Sequence, residues 1–315
     1  MADSDLVARV RAGDSRATAR LLSWVEDGAP GLGAAMADLA ARGSTAHVIG
    51  VTGAPGVGKS TLTSALVRED RGRGCRVGVL AVDPSSPFSG GALLGDRIRM
   101  QEHSTDPGVF IRSMASRGHL GGIAAATPQA VRVLEAAGYD VVLVETVGVG
   151  QSEVDVAATA DSTIVVLAPG MGDGIQAAKA GILEVGDVLC VNKADRDGAE
   201  ATAREIRQMV AMAPHANGAW IPAVVLSVAS RGEIEALVAA LDQREAWLAD
   251  AGHLRDRRRR RAAEEILAIA LGQVRRRLAA TEGAALDSLA GRVADGTLDP
   301  FTAAAELLEV PESLR

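Results

Sequence analysis

The segment GAPGVGKST, residues 53–61, constrains the fold of this chain more than any other stretch of its sequence. It matches the pattern G-x-x-x-x-G-K-[ST] and lies between the apolar run HVIGVT and the helical stretch LTSALV. In such a loop the backbone N–H groups and the amino terminus of the following helix surround an anion together. The segment therefore predicts a strand, a phosphate-binding loop and a helix in succession.

Individual positions of this loop have expected roles. Gly56 and Gly58 let the backbone turn with positive φ, because glycine carries no Cβ. We expect Lys59 to reach the β- and γ-phosphates of a nucleoside triphosphate, and the Ser60 hydroxyl to bind Mg²⁺. Thr61 would lie near the α-phosphate. The predicted nucleotide-binding residues of this loop are Gly53, Ala54, Pro55, Gly56, Val57, Gly58, Lys59, Ser60 and Thr61.

Short apolar runs follow one another from residue 47 onward. Each run is apolar throughout, as strands buried on both faces are. Helical stretches such as TPQAVRVLEAAG separate most of them. The pattern predicts an α/β fold whose mostly parallel sheet is flanked by helices. The runs are HVIGVTG, RVGVLAVD, GVFIRSM, DVVLVET, STIVVLAP, DVLCVNK and IPAVVLSV.

The two ends of the chain lack such runs and have the pattern of helices. Residues 1–45 carry apolar pairs at helical spacing, with breaks at Gly13 and Gly28. From Leu254 onward we expect helices only. The chain is therefore divided into an N-terminal helical extension (1–45), a phosphate-loop domain (46–250) and a C-terminal helical arm (251–315).

Two features of the C-terminal arm bear on partners. The run RDRRRRR, which begins at Arg255, is interpreted as the solvated start of a helix rather than a nucleic-acid patch. An apolar stripe follows at helical spacing, and it either packs back on the core or pairs with another subunit. Its residues are Ile266, Leu267, Ile269, Ala270, Val274 and Leu278.

Composition argues against several classes of protein. A formal net charge of −7 argues against nucleic acid as the main partner. Cys75 and Cys190 form no C-x-x-C pair, so we expect neither a disulfide scaffold nor a zinc site. The first residues lack the apolar core of a signal peptide, and no run of about eighteen apolar residues occurs. We therefore expect no membrane partner and a cytoplasmic location.

The segment NKAD, residues 192–195, follows a predicted strand and indicates guanine as the base. The Asp195 carboxylate can accept hydrogen bonds from the N1–H and the N2 amino group of guanine. Adenine offers no such pair and would leave the buried carboxylate unsatisfied. Asn192 and Lys193 would brace the loop and cover the base plane. The loop after the last strand would complete the pocket with Ser227, Val228 and Ala229.

Acidic residues at the carboxyl ends of buried strands are natural ligands for Mg²⁺, because the sheet directs them at the phosphate loop. Asp83 ends the run VGVLAVD and Glu145 ends the run VVLVE, whereas Asp96 lies on the loop between them. Each acid has a structural alternative, such as a helix cap or a salt bridge. The expected metal-binding residues are Ser60, Asp83, Asp96 and Glu145.

The stretch ETVGVGQSE, which begins at Glu145, occupies the place of a γ-phosphate sensor. Gly148 would donate its N–H to the γ-phosphate, so that hydrolysis would release the loop. No glutamine follows that glycine directly; the nearest is Gln151. We therefore expect slow intrinsic hydrolysis that a partner completes. The expected catalytic residues are Lys59, Glu145 and Gly148.

Four blocks of the sequence together resemble the MeaB/ArgK-type GTPases, the G-protein chaperones associated with methylmalonyl-CoA mutase. They are VDPSSPFSGGALLGDRIRM, IRSMASRGHLGG, ETVGVGQSEVDVA and GDGIQAAKAGILEVGDVLCVNKAD, and the resemblance runs from about residue 5 to 310. It implies a P-loop NTPase fold of the SIMIBI class and a homodimer joined through the C-terminal arm. It also implies GTP and GDP as ligands, magnesium held by Asp83, Asp96 and Glu145, and no tightly bound organic cofactor.

The same resemblance implies a partner and a segment that contacts it. The partner would be an adenosylcobalamin-dependent acyl-CoA mutase, whose cofactor delivery the GTPase gates and which it protects or reactivates. Residues 169–181 resemble the family's mobile coupling segment and contain Asp173, Gln176 and Lys179, although geometry alone favours an ordinary helix start capped by Asp173. Gly174 stands where family members usually carry a second acid. The sequence indicates no role for Arg117, in another block of family type.

Two other functions share parts of this pattern. A GTPase that delivers nickel would have the same phosphate loop, but the five histidines are scattered and form no Cys-His cluster. A kinase or ATPase linked to basic amino-acid transport conflicts with the guanine motif. Both remain alternatives to a mutase chaperone at this point.

Overall fold

A computed structural model describes residues 2–40, 46–84, 101–116, 122–146, 152–170, 185–214, 216, 218–250, 252–281 and 285–309. The chain divides into two compact units, Met1–Arg261 and Ala262–Arg315. Asp96, Arg117, Gly148, Asp173, Gly174, Gln176 and Lys179 lie outside the described residues, and so does the side chain of Asp83.

The described part of the first unit contains the sheet that the apolar runs predict. Its strands are β1 (His47–Thr52), β2 (Val77–Pro84), β3 (Val109–Ser116), β4 (Val141–Thr146), β5 (Ser162–Leu167), β6 (Val188–Val191) and β7 (Ala223–Leu226). They pair in the order β3-β2-β4-β1-β5-β6-β7, and every pair is parallel. The predicted α/β class and parallel sheet are thereby confirmed. The strand before the phosphate loop lies at the centre.

Helices precede, connect and follow the strands. Those of the first unit are α1 (Ala2–Arg11), α2 (Ser15–Asp27), α3 (Leu32–Leu39), α4 (Lys59–Gly72), α5 (Gly122–Ala136), α6 (Ser152–Thr159), α7 (Ala199–Met212) and α8 (Glu235–Ala249). Then come α9 (His253–Thr281), α10 (Ala285–Ala294) and α11 (Pro300–Glu309). The predicted breaks at Gly13 and Gly28 are confirmed, and both glycines have positive φ.

Both faces of the sheet are buried, which explains why its strands are apolar throughout. On one face Leu80 and Val142 share a core with Leu21 and Leu22 of α2. The N-terminal helices therefore belong to the same core as the sheet. On the other face, Leu143 of β4 and Val166 of β5 share a core with apolar residues of α4 and α8. The helix residues in this core include Leu62, Leu66, Leu237 and Leu241.

Arginines at the start of α9 bind carboxylates at the amino ends of two strands. Arg258 Nη2 lies 2.9 Å from Oδ2 of Asp161, which is 1% exposed and directly precedes β5. Arg257 Nη2 lies 3.2 Å from Oδ2 of Asp187, which directly precedes β6. Arg261 is buried and lies 3.6 Å from Asp161. The predicted solvated helix start is therefore wrong at these three arginines, because the fold brings distant carboxylates to them.

Apolar side chains of α9 are exposed in the single chain. Ile266, Leu267 and Leu271 are each more than half exposed in the second unit, and Val274 is 43% exposed. No helix among the described residues is both long enough and apolar enough to cross a membrane.

Candidate nucleotide-binding site

The loop between β1 and α4 has the backbone that a phosphate-binding loop requires. Gly56 and Gly58 have φ of +79° and +100°, as predicted, and Gly53 has φ of +138°. A Cβ on Gly53 would lie 2.2 Å from the carbonyl oxygen of Val166 in β5, so a side chain is excluded there. Helix α4 begins at Lys59 and places its amino terminus beside the loop.

The Lys59 ammonium group lies against the curve of this loop. Its Nζ atom donates hydrogen bonds to the carbonyl oxygens of Gly53 (2.7 Å) and Ala54 (3.1 Å), and the residue is buried. An ammonium group binds charged phosphate oxygens more strongly than neutral carbonyls. A phosphate group that enters the loop can therefore replace these two carbonyls as the partner of Lys59.

The structure brings the predicted metal residues Ser60 and Glu145 together. The Ser60 hydroxyl donates a 2.6 Å hydrogen bond to Oε1 of Glu145, and both residues are buried. Strands β1 and β4 are neighbours, and Glu145 pairs with Val51, two positions before the loop begins at Gly53. The central pair of strands thus positions a carboxylate beside the start of α4.

These oxygen atoms fit magnesium, which prefers oxygen ligands and commonly shares its shell with phosphates and water. Asp83 lies on β2, the other neighbour of β4, two positions beyond the residue that pairs with Glu145. The backbone of Asp83 therefore lies near Glu145, at the carboxyl ends of the strands. Among the described residues, no group of three or more His, Cys, Asp and Glu side chains is arranged to hold a metal ion. Among the predicted metal residues, Ser60 and Glu145 are the two whose side chains the structure describes.

Asn192 joins the phosphate loop to the predicted base pocket. Its Nδ2 atom donates a 2.9 Å hydrogen bond to the Val57 carbonyl oxygen. Its Oδ1 atom accepts hydrogen bonds from Ser227 Oγ (3.2 Å) and from the Ala229 backbone N–H (3.1 Å). Asn192 is 3% exposed. Asn192 therefore connects the phosphate loop to the loop after β7.

The thiol of Cys190 contacts Ser227, one of the partners of Asn192. Its Sγ atom lies 3.1 Å from Ser227 Oγ, and burial raises the pKa of the thiol to about 11. Cys190 is therefore a neutral hydrogen-bonding partner of Ser227 near neutral pH.

Lys193 and Asp195 complete the segment after β6. Lys193 has φ of +58°, and its Nζ atom donates a 2.5 Å hydrogen bond to the Gly56 carbonyl oxygen. The Asp195 side chain is 33% exposed, and its Oδ2 atom lies 3.6 Å from Nη2 of Arg231. The expectation of a buried carboxylate is therefore wrong in this structure, where the Asp195 side chain is one-third exposed.

Sequence reasoning missed the contacts between α4 and residues 102–106. Ser64 Oγ lies 2.8 Å from Nε2 of His103, and it also donates to Glu102. The hydrogen bond from Ser64 lowers the pKa of Glu102 below its usual range. Arg71 Nε lies 2.8 Å from Asp106 Oδ2. No motif marks these residues, although they fix the helix that carries Lys59 and Ser60.

Glu145→Gln keeps the shape of the side chain and removes the charge beside Ser60. We expect the Mg²⁺ concentration for half-maximal GTP hydrolysis to rise about 10–100-fold, as when groups that orient metal ligands are replaced. Phosphate release across a magnesium titration measures this. Glu200→Gln, an exposed carboxylate at the start of α7, is the matched control. An unchanged magnesium dependence in the Glu145 variant would contradict the assignment.

Asp195→Asn replaces an acceptor of the predicted base contact with an amide. We expect GDP to bind at least about tenfold more weakly, because a hydrogen bond to a charged group is lost. Xanthosine diphosphate should gain affinity, since its C2 oxygen accepts where guanine donates. Competition binding with both nucleotides measures the change, and Asp197→Asn in the same exposed loop is the control. An unaltered preference for GDP would mean that Asp195 does not read the base.

Comparisons with known proteins agree with this geometry. The family described as "Methylmalonyl Co-A mutase-associated GTPase MeaB" matches residues 18–283. A Pyrococcus abyssi protein named as a GTPase is 44% identical over 309 residues, which cover 97% of this chain and 95% of that protein. The "Methylmalonic aciduria type A homolog, mitochondrial" of Caenorhabditis briggsae is 40% identical over 223 residues, which cover 69% of this chain and 54% of that protein.

The fold has a similar counterpart among solved structures. The crystal structure of a LAO/AO transport system kinase matches with a TM-score of 0.72 and 27% identity, covering 98% of this chain and 96% of that one. The family match includes the phosphate loop, Glu145 and the segment 192–195. The expected resemblance is confirmed, and the chain belongs to the MeaB family of P-loop GTPases.

Proposed function

We propose that this GTPase is a chaperone of an adenosylcobalamin-dependent acyl-CoA mutase, with methylmalonyl-CoA mutase as the leading candidate. It would gate delivery of the cofactor and protect or reactivate the mutase. The observation that carries the proposal is the family match over residues 18–283, whose description names a mutase-associated GTPase. The name of the Caenorhabditis briggsae relative, which refers to methylmalonic aciduria, agrees with it.

The site supports a nucleotide-dependent chaperone. Ser60 and Glu145 form a buried pair at the end of a central strand, and the chain continues from β4 directly into residues 147–150. Gly148 would sense the γ-phosphate there, with Mg²⁺ bound by Ser60, Asp83, Asp96 and Glu145. The state of the nucleotide would thus be transmitted along the backbone that follows β4. Asp173, Gln176 and Lys179 are proposed to carry it to the mutase.

The alternatives receive less support. The similar crystal structure is described as a transport system kinase, but the Asp195 carboxylate favours guanine over adenine. The five histidines remain scattered in the sequence, and a nickel-delivering GTPase would be expected to gather them into a metal site. The family match adds weight to the mutase chaperone over both.

We further propose that the protein is a homodimer joined through its C-terminal helices. The exposed apolar side chains of α9, among them Ile266, Leu267 and Leu271, support this. A stripe of this kind is costly to leave in water and suits a second copy of the same helix.

Addition of the mutase provides the test of the proposed function. We expect methylmalonyl-CoA mutase, purified from the same organism, to raise GTP turnover at least about tenfold, since a group supplied by a partner can complete a GTPase site. Turnover is measured as phosphate release at fixed Mg²⁺. The Asp195→Asn variant is the control, because its weakened GTP binding should abolish the stimulation at low GTP. A rate unchanged by every adenosylcobalamin-dependent mutase of the organism would contradict the proposal and leave GTP hydrolysis untouched.

A further inference from the structure

An arginine that no motif predicts lies against the base-reading carboxylate. Nη2 of Arg231 is 3.6 Å from Oδ2 of Asp195. Guanine needs both oxygens of this carboxylate, one for its N1–H and one for its N2 amino group. Arg231 therefore lies beside an oxygen atom that the base must use.

The backbone around Arg231 is held firmly in place. Its N–H donates a 2.9 Å hydrogen bond to the Val228 carbonyl oxygen, and Val228 forms an antiparallel bridge with Glu233. The nearby residue Ala229 donates its backbone N–H to Asn192, which is buried. The Arg231 side chain, in contrast, is 60% exposed. Its guanidinium group can therefore rotate while the loop that carries it stays fixed.

A second carboxylate offers this guanidinium group another partner. Nη1 of Arg231 lies 4.0 Å from Oε1 of Glu233, whose side chain is 56% exposed. Both ion pairs are exposed, and pairs of this kind are individually weak. Arg231 therefore lies between two acids that can each bind it, and only Asp195 is needed by the base.

We propose, on the basis of the guanine site assigned above, that Arg231 competes with guanine for Asp195. When the base binds, Arg231 transfers to Glu233, and the guanine amino group takes its place on the carboxylate. This competition weakens the binding of GDP and GTP and favours release of the nucleotide. Arg231 is thus a residue that sets guanine affinity and the strength with which the amino group is read.

Calorimetric titration of Arg231→Ala with GDP tests the competition. We expect GDP to bind about two- to fivefold more tightly, the size of effect typical of an exposed ion pair. Inosine diphosphate should gain less, because its base lacks the amino group and leaves one carboxylate oxygen free for Arg231. Arg196→Ala removes the same charge from an exposed position beside Asp195 and should not tighten GDP binding. Equal or weaker GDP binding by Arg231→Ala would overturn the proposal.

A second variant should change the affinity in the opposite direction. Glu233→Gln removes the alternative partner and leaves Arg231 on Asp195, so GDP should bind about twofold more weakly, within the range of an exposed ion pair. In the Arg231→Ala background the same substitution should have no effect, because the two changes act through one contact. Independent, additive effects would overturn the proposal. Thermal unfolding of each variant verifies that the fold is intact.

The outcome separates this competition from the assignments on which it depends. If the wild-type chain binds GDP no better than ADP, guanine recognition by Asp195 fails and the competition fails with it. If GDP binds and the Arg231 effects appear but no mutase stimulates hydrolysis, only the chaperone function fails.

Discussion

The nucleotide site depends on the carboxamide of Asn192. This buried group donates to the phosphate loop at Val57 and accepts from the loop after β7 at Ser227 and Ala229. Because the carboxamide is buried, the loss of any of these hydrogen bonds would leave a polar group unsatisfied inside the protein, which costs free energy. The Asn192 side chain therefore links the phosphate loop to the loop after β7.

This junction gives one glycine of the phosphate loop a second reason to lack a side chain. A Cβ on Gly58 would lie 2.4 Å from Nδ2 of Asn192. The sequence pattern explains Gly58 by its positive φ, whereas the structure adds the close approach of the Asn192 amide. Lys193 strengthens the same junction through its bond to the Gly56 carbonyl oxygen.

The carboxyl and amino ends of the parallel strands have different roles. At the carboxyl ends, β1 leads into the phosphate loop, β4 ends near Glu145 and β6 leads to Asn192. At the amino ends, Asp161 and Asp187 precede β5 and β6 and bind arginines from α9. Both carboxylates are buried, and the arginines offset the cost of removing their charges from water. The carboxyl ends of the strands therefore carry the nucleotide site. The amino ends bind the start of α9, a helix far along the chain.

The sequence predicted the local features well and the long-range contacts poorly. Apolar runs predict the strands because burial on both faces demands them, and the loop pattern predicts positive φ at Gly56 and Gly58. The arginines of α9 were misjudged, because their partners Asp161 and Asp187 lie far earlier in the chain, just before β5 and β6. Arg231 was missed for a related reason, since only the fold places it beside Asp195.

The most direct measurement titrates wild-type protein and Asn192→Ala with GDP and with inorganic pyrophosphate, both in the presence of Mg²⁺. Pyrophosphate carries no base and reports on the phosphate loop alone. If Asn192 holds the two loops in register, the variant should bind both ligands more weakly. Normal pyrophosphate binding together with impaired GDP binding would show that the phosphate loop does not depend on Asn192.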